Sequence, residues 1–270
     1  MYHHAATREH LRVLCDRGAI QVGPERGRLA SGLTGDGRMA EVGSIVGATR
    51  WVLGRGGSLA GRRIVITAGG TREPIDPVRY LGNRSSGRMG YALAQAAIDH
   101  GADVTLISSV TALAAPYGAE VTQVETVGEM EAAVQEVVRE ADILIMAAAV
   151  ADFRPISAAA NKIKKHDNQT GMTLNLDRTP DILANARGAH LVKVGFAAET
   201  EDLAEHALAK LDSKGLAMII ANDAVATIGK RESTALIVRR GQPPEQLGAM
   251  SKVDLARVIM ARLVTLLQMS

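Results

Sequence analysis

Apolar positions along the chain change rhythm at about Arg62. From there on, runs of strand length alternate with stretches whose apolar residues recur every three or four positions, the pattern of a parallel sheet covered by helices. Residues 63–67 (RIVIT) predict a first strand, and the glycines and prolines of residues 68–84 predict a long irregular loop after it. Residues 86–100 carry Met89, Leu93, Ala96 and Ala97 at helical spacing, with Gly101 as a C-terminal cap. A strand over 104–108 follows, then a helix over 126–140 with Met130, Ala133, Val134 and Val137 on one face. The uninterrupted apolar run 143–150 predicts a strand buried on both faces.

Further along, the pattern predicts a strand over 172–176, a short helix after Thr179, a strand over 191–196, a helix over 202–214 and a strand over 217–221. It ends with a strand over 234–239 and a helix over 252–267 that Ser251 caps. Five or more strand–helix units imply a doubly wound, Rossmann-like α/β fold: a mostly parallel sheet with helices on both faces. The first sixty residues break the pattern. They offer one helix, over 5–17, and then glycine-rich sequence of weak period, which sets residues 1–60 apart from a main domain at 61–270.

Composition adds exclusions. With 47% hydrophobic residues in 270, the chain can bury a core unaided. Thirty-one Lys and Arg against 29 Asp and Glu leave a formal charge of +2, without the basic excess of a nucleic-acid-binding protein. No apolar run nears the roughly 20 residues that span a bilayer, so neither nucleic acid nor membrane is an expected partner. Cys15 is the one cysteine and has no internal partner, and the N-terminus lacks a signal-peptide pattern. A reducing cytoplasm is the expected compartment.

Chemistry is expected in the loops at the carboxyl ends of the strands, where open parallel sheets bind ligands. The first loop places Asn83, Ser85, Ser86 and Gly87 ahead of a helix, a setting for phosphate or carboxylate; the plainer reading is that a serine only caps that helix. It contains neither GxGxxG nor GxxxxGK[ST]. After the third strand, Asp152 precedes Lys162, Lys164 and Lys165, a set suited to a nucleotide triphosphate and magnesium, or else a solvated charge run. Lys210 and Lys214 share one face of a later helix and by spacing alone are ordinary surface lysines. His3 and His4 lack the spacing and companions of a zinc site, and no Gly-x-Ser-x-Gly elbow is present.

Taken together, ITAGGTREPIDPVRYLGNRSSGRMGYALA, AAAVADF, KIKK, TPDIL, VGFAAET and IIANDA occur in an order and spacing that resemble the synthetase half of the bacterial bifunctional phosphopantothenoylcysteine decarboxylase/synthetase family, from about Gly61 to the C-terminus. The resemblance implies a ligase. The carboxylate of 4′-phosphopantothenate attacks CTP and releases pyrophosphate, and the amine of cysteine then attacks the acyl cytidylate. It implies that Asn83 hydrogen-bonds the acyl carbonyl and assists the cysteine step, and that Lys162 serves activation. CTP contacts are implied for Met146, Ala147, Ala148, Asp152, Asp177, Arg178, Thr179, Pro180, Phe196, Lys210 and Lys214, and phosphopantothenate contacts for Arg79, Ser85, Ser86 and Gly87. Magnesium accompanies the triphosphate, with Asp152 its expected protein ligand, and a homodimer with shared sites is expected.

Residues 1–43 resemble the tail of the flavin-dependent decarboxylase half, entered partway. A family MW-x-HPAT pattern reads Met1, Tyr2, His3, His4, Ala5, Ala6, Thr7, and Ser31 stands where many members carry a reactive cysteine. A serine cannot replace thiolate redox chemistry. Bound FMN and decarboxylase activity are therefore not expected, and a separate decarboxylase is a possible partner. Two rival functions remain: an oxidoreductase on the same fold, which lacks its glycine-rich dinucleotide turn here, and a non-catalytic nucleotide-binding subunit, against which Asn83 and Lys162 both speak.

Overall fold

The structure is a computed structural model that describes residues 1–164, 171–199, 203–223 and 232–269. Two features precede the main sheet: helix α1 (Ala5–Asp16) and a hairpin of β1 (Glu25–Arg28) with β2 (Thr34–Arg38). Helix α2 (Val42–Gly54) then leads to β3 (Arg63–Ala68), the first buried strand. The chain continues through a small hairpin, β4 (Arg72–Pro74) and β5 (Tyr80–Gly82), to α3 (Arg88–Asp99), β6 (Asp103–Ser108), β7 (Glu120–Gln123), α4 (Val127–Val137) and β8 (Ile143–Met146). A second ribbon pairs β9 (Phe153–Pro155) with β10 (Leu176–Arg178). After α5 (Ile182–Asn185) come β11 (Val192–Glu199), α6 (Leu203–Ser213), β12 (Met218–Asp223), β13 (Glu232–Arg239), β14 (Glu245–Ser251) and α7 (Lys252–Met269).

The main sheet runs β14, β13, β12, β11, β8, β3, β6, β7. Its six strands from β12 to β7 are parallel, and β13 and β14 close that side as antiparallel partners. Period-2 alternation divides the core between the two faces. Ile64, Ile66, Val104, Leu106, Ile143 and Ile145 pack on one side with α3 and with Leu255, Ile259 and Leu263 of α7. Val65, Ile107, Leu144 and Met146 pack on the other with Met130 and Val134 of α4 and Leu211 of α6. Helices on both faces of a largely parallel sheet are the expected α/β architecture.

Several elements depart from the sequence reading. The 68–84 loop contains the β4–β5 hairpin, because Pro74 ends a two-stranded ribbon where no ladder donor is needed. The strand expected over 143–150 stops at Met146, since the next residues turn away to bond the first loop. The strand expected over 172–176 lies at Leu176–Arg178 and belongs to an exposed ribbon outside the main sheet. Helix α2 was hidden because its buried positions are Gly47, Ala48 and Gly54. Glycine is a poor helix former, but a Cβ on Gly47 would lie 2.8 Å from Tyr117 Cβ, so the close approach needs it. Strands β7 and β14 are half-polar edge strands without an apolar run.

Gly90, in the first turn of α3, shows how tightly this helix sits on the sheet. A Cβ there would come 2.5 Å from Ala68 Cβ and 2.8 Å from the Thr67 carbonyl oxygen, a backbone atom that cannot swing aside. Gly90→Ala should therefore destabilise the fold by about 1–3 kcal/mol through overpacking. Urea denaturation checks this; a midpoint equal to wild type would show that α3 is free to shift.

Candidate active site

Among the six parallel strands, chain order runs third, second, first, fourth, fifth, sixth across the sheet, so it reverses between β3 and β8. Loops leaving two such strands diverge to opposite faces and open a crevice at the strand ends. Here the two loops are stitched together just beyond the sheet. Gly70 and Ala149 form an isolated parallel bridge, and Ala149 N–H donates to the Gly69 carbonyl at 2.7 Å. Two buried threonines add to it: Thr67 Oγ1 accepts from Ala148 N–H at 3.1 Å and Thr71 Oγ1 from Ala151 N–H at 2.9 Å.

Asn83 rests on this seam. Gly70 carries no side chain, and a Cβ there would lie 2.6 Å from the Asn83 carbonyl oxygen, so the asparagine can press close. Its Nδ2 donates to the carbonyls of Ala149 and Val150, both at 3.1 Å. Both partners are acceptors, which fixes the orientation of the amide. Its N–H groups are thus engaged, and Oδ1 has no partner among the described residues, so in this geometry the side chain offers an acceptor.

Around Asn83 lies a cavity of about 810 Å³. Ser85, Ser86 and Gly87 line it from the first loop, Met146 from the end of β8, Ala147, Ala148 and Asp152 from the segment after it, and Arg178, Thr179 and Pro180 from the end of β10. Phe196 of β11, Lys210 of α6 and Lys214 just beyond it complete the set read from the sequence. Neither serine caps α3. The N-cap is Gly87, in the left-handed region at φ +71°, and Ser85 Oγ instead accepts from Gly87 N–H at 3.3 Å. Thr179 is held by Oγ1–H donation to the Ala151 carbonyl at 2.6 Å.

Asp181 of the TPDIL segment caps α5 by accepting from Ala184 N–H and pairs with Lys214 at 2.7 Å. Burial alone would raise this carboxyl, but the Lys214 and Ala184 hydrogen bonds outweigh it and hold it below its ordinary value. Asp152 has no such partner among the described residues, which also contain no cluster of three metal-ligating side chains. A magnesium ion carried in on a triphosphate needs only one or two carboxylates besides phosphate oxygens and water, so the lone Asp152 carboxylate fits it.

Arg79, Lys162 and Asp177 do not line this cavity. Asp177 is exposed on β10, its Oδ1 accepting from Arg178 N–H. Arg79 and the backbone of Ile163, the residue after Lys162, meet at Asp76, whose side chain is fully buried. Asp76 accepts from the backbone N–H groups of Val78, Arg79 and Ile163 and from the Arg79 guanidinium, while Arg79 also donates to the Ile163 carbonyl at 3.0 Å. One carboxylate therefore ties the β4–β5 turn to the lysine segment, leaving Lys162 exposed beside it. Lys165 and the last residues of VGFAAET and IIANDA lie outside the described residues. Sequence reasoning missed Arg88, Asp181, Ser233 and Lys252, which also line the cavity; the last two come from β13 and α7, far along the chain and in no motif.

The chain matches the family described as the DNA/pantothenate metabolism flavoprotein C-terminal domain over residues 59–267. It is 40% identical to the coenzyme A biosynthesis bifunctional protein CoaBC of Bacillus subtilis over 98% of its own length and 67% of that protein. The corresponding protein of Mycobacterium bovis is 44% identical over 82% of this chain and 57% of its own length. The chain thus spans between about half and two thirds of these relatives. Among solved structures, the C-terminal domain of a CoaBC protein superposes with a TM-score of 0.67 at 37% identity, covering 79% of this chain and 99% of that one.

The Asp76 clamp is open to test. The Arg79 hydrogen bond, aided by the three backbone N–H groups, outweighs burial and holds the carboxyl well below its usual range. A depressed folded value makes its stabilisation complete above the unfolded pKa of about 3.9 and lost as pH falls from there through the folded value. At neutral pH, Asp76→Ala should raise amide hydrogen exchange at Val78, Arg79 and Ile163 by about tenfold or more. Unchanged exchange at Ile163 would mean that the lysine segment is held by something else.

Proposed function

The chain belongs to the DNA/pantothenate metabolism flavoprotein C-terminal domain family, and from that premise we propose that it is a ligase of coenzyme A biosynthesis, forming 4′-phosphopantothenoyl-L-cysteine from 4′-phosphopantothenate, L-cysteine and CTP. The observation that carries this reading is Asn83, locked by two carbonyls at the strand-order reversal with its free oxygen beside the cavity. In the first step a carboxylate oxygen of phosphopantothenate attacks the α-phosphorus of CTP, and the bond to pyrophosphate breaks. In the second the cysteine amine attacks the acyl carbon, CMP leaves with the bonding electron pair, and the nitrogen gives up a proton. Asn83 Oδ1 accepts from an amine N–H and so orients the nucleophile. Lys162 offsets the repulsion between two anionic substrates during activation.

Magnesium, when bound to the triphosphate at Asp152, neutralises part of its charge. A homodimer accounts for Arg79, Lys162 and Asp177 standing outside the cavity. The β4–β5 and β9–β10 hairpins expose Val78, Tyr80, Phe153, Ile156 and Leu176, and clustered apolar side chains of this kind mark an interaction surface. Pairing of two copies through these hairpins carries the Asp76 clamp, with Arg79 and Lys162, toward the partner's cavity. Residues 1–60 belong to the decarboxylase side of the reading, with Ser31 at the position of a reactive cysteine, and a separate decarboxylase is its proposed partner. The proposed compartment is the cytoplasm; among the described residues no helix is long and apolar enough to cross a membrane.

Pyrophosphate should form from CTP and 4′-phosphopantothenate, and amide product only once cysteine is added; parallel runs with ATP decide the base. Silence with both nucleotides would sink the ligase reading. Asn83→Asp should let pyrophosphate form but slow amide formation about 100-fold or more, whereas Lys162→Gln should slow pyrophosphate release itself. Sedimentation measures the assembly: wild type is expected at twice the chain mass and Ile156→Glu largely at the monomer mass. A wild-type monomer that turns over normally excludes shared sites.

A further inference from the structure

We propose that Arg88, Lys252 and Ser233 form a phosphate-binding end of the cavity, on the side of the sheet opposite Lys210 and Lys214. The inference deepens the ligase reading and rests on it for the identity of the substrates. Arg88 is the first residue of α3 and Lys252 the first of α7, and both helices pack on the same face. Ser233, on β13, pairs in register with Met250 of β14, two residues before Lys252. Three segments far apart in sequence thus bring two cations and a hydroxyl to one wall.

None of the three has a side-chain partner among the described residues. Arg88 and Lys252 have no acidic partner among the described residues, whereas Arg12, Arg50, Arg62, Arg79 and Arg262 each stand in an ion pair. Like charges at close quarters are unfavourable unless an anion joins them. Ser233 is only 5% exposed, yet its hydroxyl has no hydrogen-bond partner among the described residues while it lines the cavity. A hydroxyl at the cavity wall is placed to donate to a phosphate oxygen.

The surroundings favour charge pairing. Arg88 and Lys252 also form one wall of a second groove, of about 560 Å³, whose other walls are mainly apolar: Tyr91, Ala92, Leu113 and Pro116. Lys252 is half-buried between the two, and burial together with nearby Arg88 lowers its pKa. An anion bound there gains more than it would at an open surface. Across the cavity Lys214 is already paired with Asp181, so the two cationic regions are not equivalent. Two polyanionic substrates, a nucleoside triphosphate and a phosphate monoester, match a cavity with two such regions.

The test is calorimetric titration of the full chain with inorganic tripolyphosphate and, separately, with 4′-phosphopantothenate. Arg88→Met and Lys252→Met should each weaken one of these ligands by about tenfold to a hundredfold, Ser233→Ala should weaken the same one by a few-fold, and Lys252→Arg should restore it. Arg257→Met, which removes a surface partner of Asp254 on α7, should change nothing. Loss for tripolyphosphate assigns the site to the nucleotide, and loss for phosphopantothenate assigns it to the acid. Wild-type affinity for both ligands in all three variants overturns the proposal, as does a wild-type chain that binds neither. Amide formation measured on the same preparations separates the two readings. Turnover with unaltered KM values sinks the anion site and leaves the ligase standing, whereas absent wild-type turnover sinks the ligase while the tripolyphosphate titration still reports on the site.

Discussion

The site depends on a short stretch of backbone pairing that outlives the sheet. Strands β3 and β8 end at Ala68 and Met146, yet their continuations remain joined through the Gly70–Ala149 bridge and the Thr67 and Thr71 hydroxyls. Loops at a strand-order reversal would otherwise part completely. The stitch lets them separate only after it has fixed Asn83 against two carbonyls. A side chain that must meet a reacting atom within a fraction of an ångström needs such support, since small misplacements are costly in rate. Gly70 lacks a side chain because a Cβ there would meet the Asn83 carbonyl oxygen at 2.6 Å.

Electrostatics then divides the surroundings of the cavity into three kinds of cation. Lys214 is held by Asp181 and therefore fixed in place. Arg88 and Lys252 have no such counter-ion among the described residues. Arg79 is bound to Asp76 outside the cavity and Lys162 is exposed beside it. The proposed reaction would pass several phosphates through two steps and would need positive charge of graded availability, because charge that holds a product too firmly delays its release. The distribution follows from topology: α3 and α7 cover one face of the sheet, α6 the other, and the hairpins project from the strand ends.

Much of this was legible in the sequence, and what was not has physical causes. The central strands and α3, α4, α6 and α7 announced themselves because each buries large apolar residues at a regular period. Helix α2 did not, because glycines make its contacts; β7 and β14 did not, because edge strands carry polar residues. Motif reading found Asn83, Ser85, Asp152, Phe196 and Lys210, all on loops or faces that converge on one cavity. It could not find Ser233 or Lys252. Their relevance comes from three-dimensional proximity and from missing partners, neither of which a linear pattern encodes. Nor could it tell that the Asn83 amide presents its oxygen, since that depends on two carbonyls about seventy residues away.

The Asp76 clamp also bears on how such a chain can change over generations. Because Ile163 is tied through both its N–H and its carbonyl to the β4–β5 turn, the position of Lys162 is set by what precedes it. A substitution in the β4–β5 turn is therefore felt beside Lys162, far along the chain, and the two segments are constrained to change together.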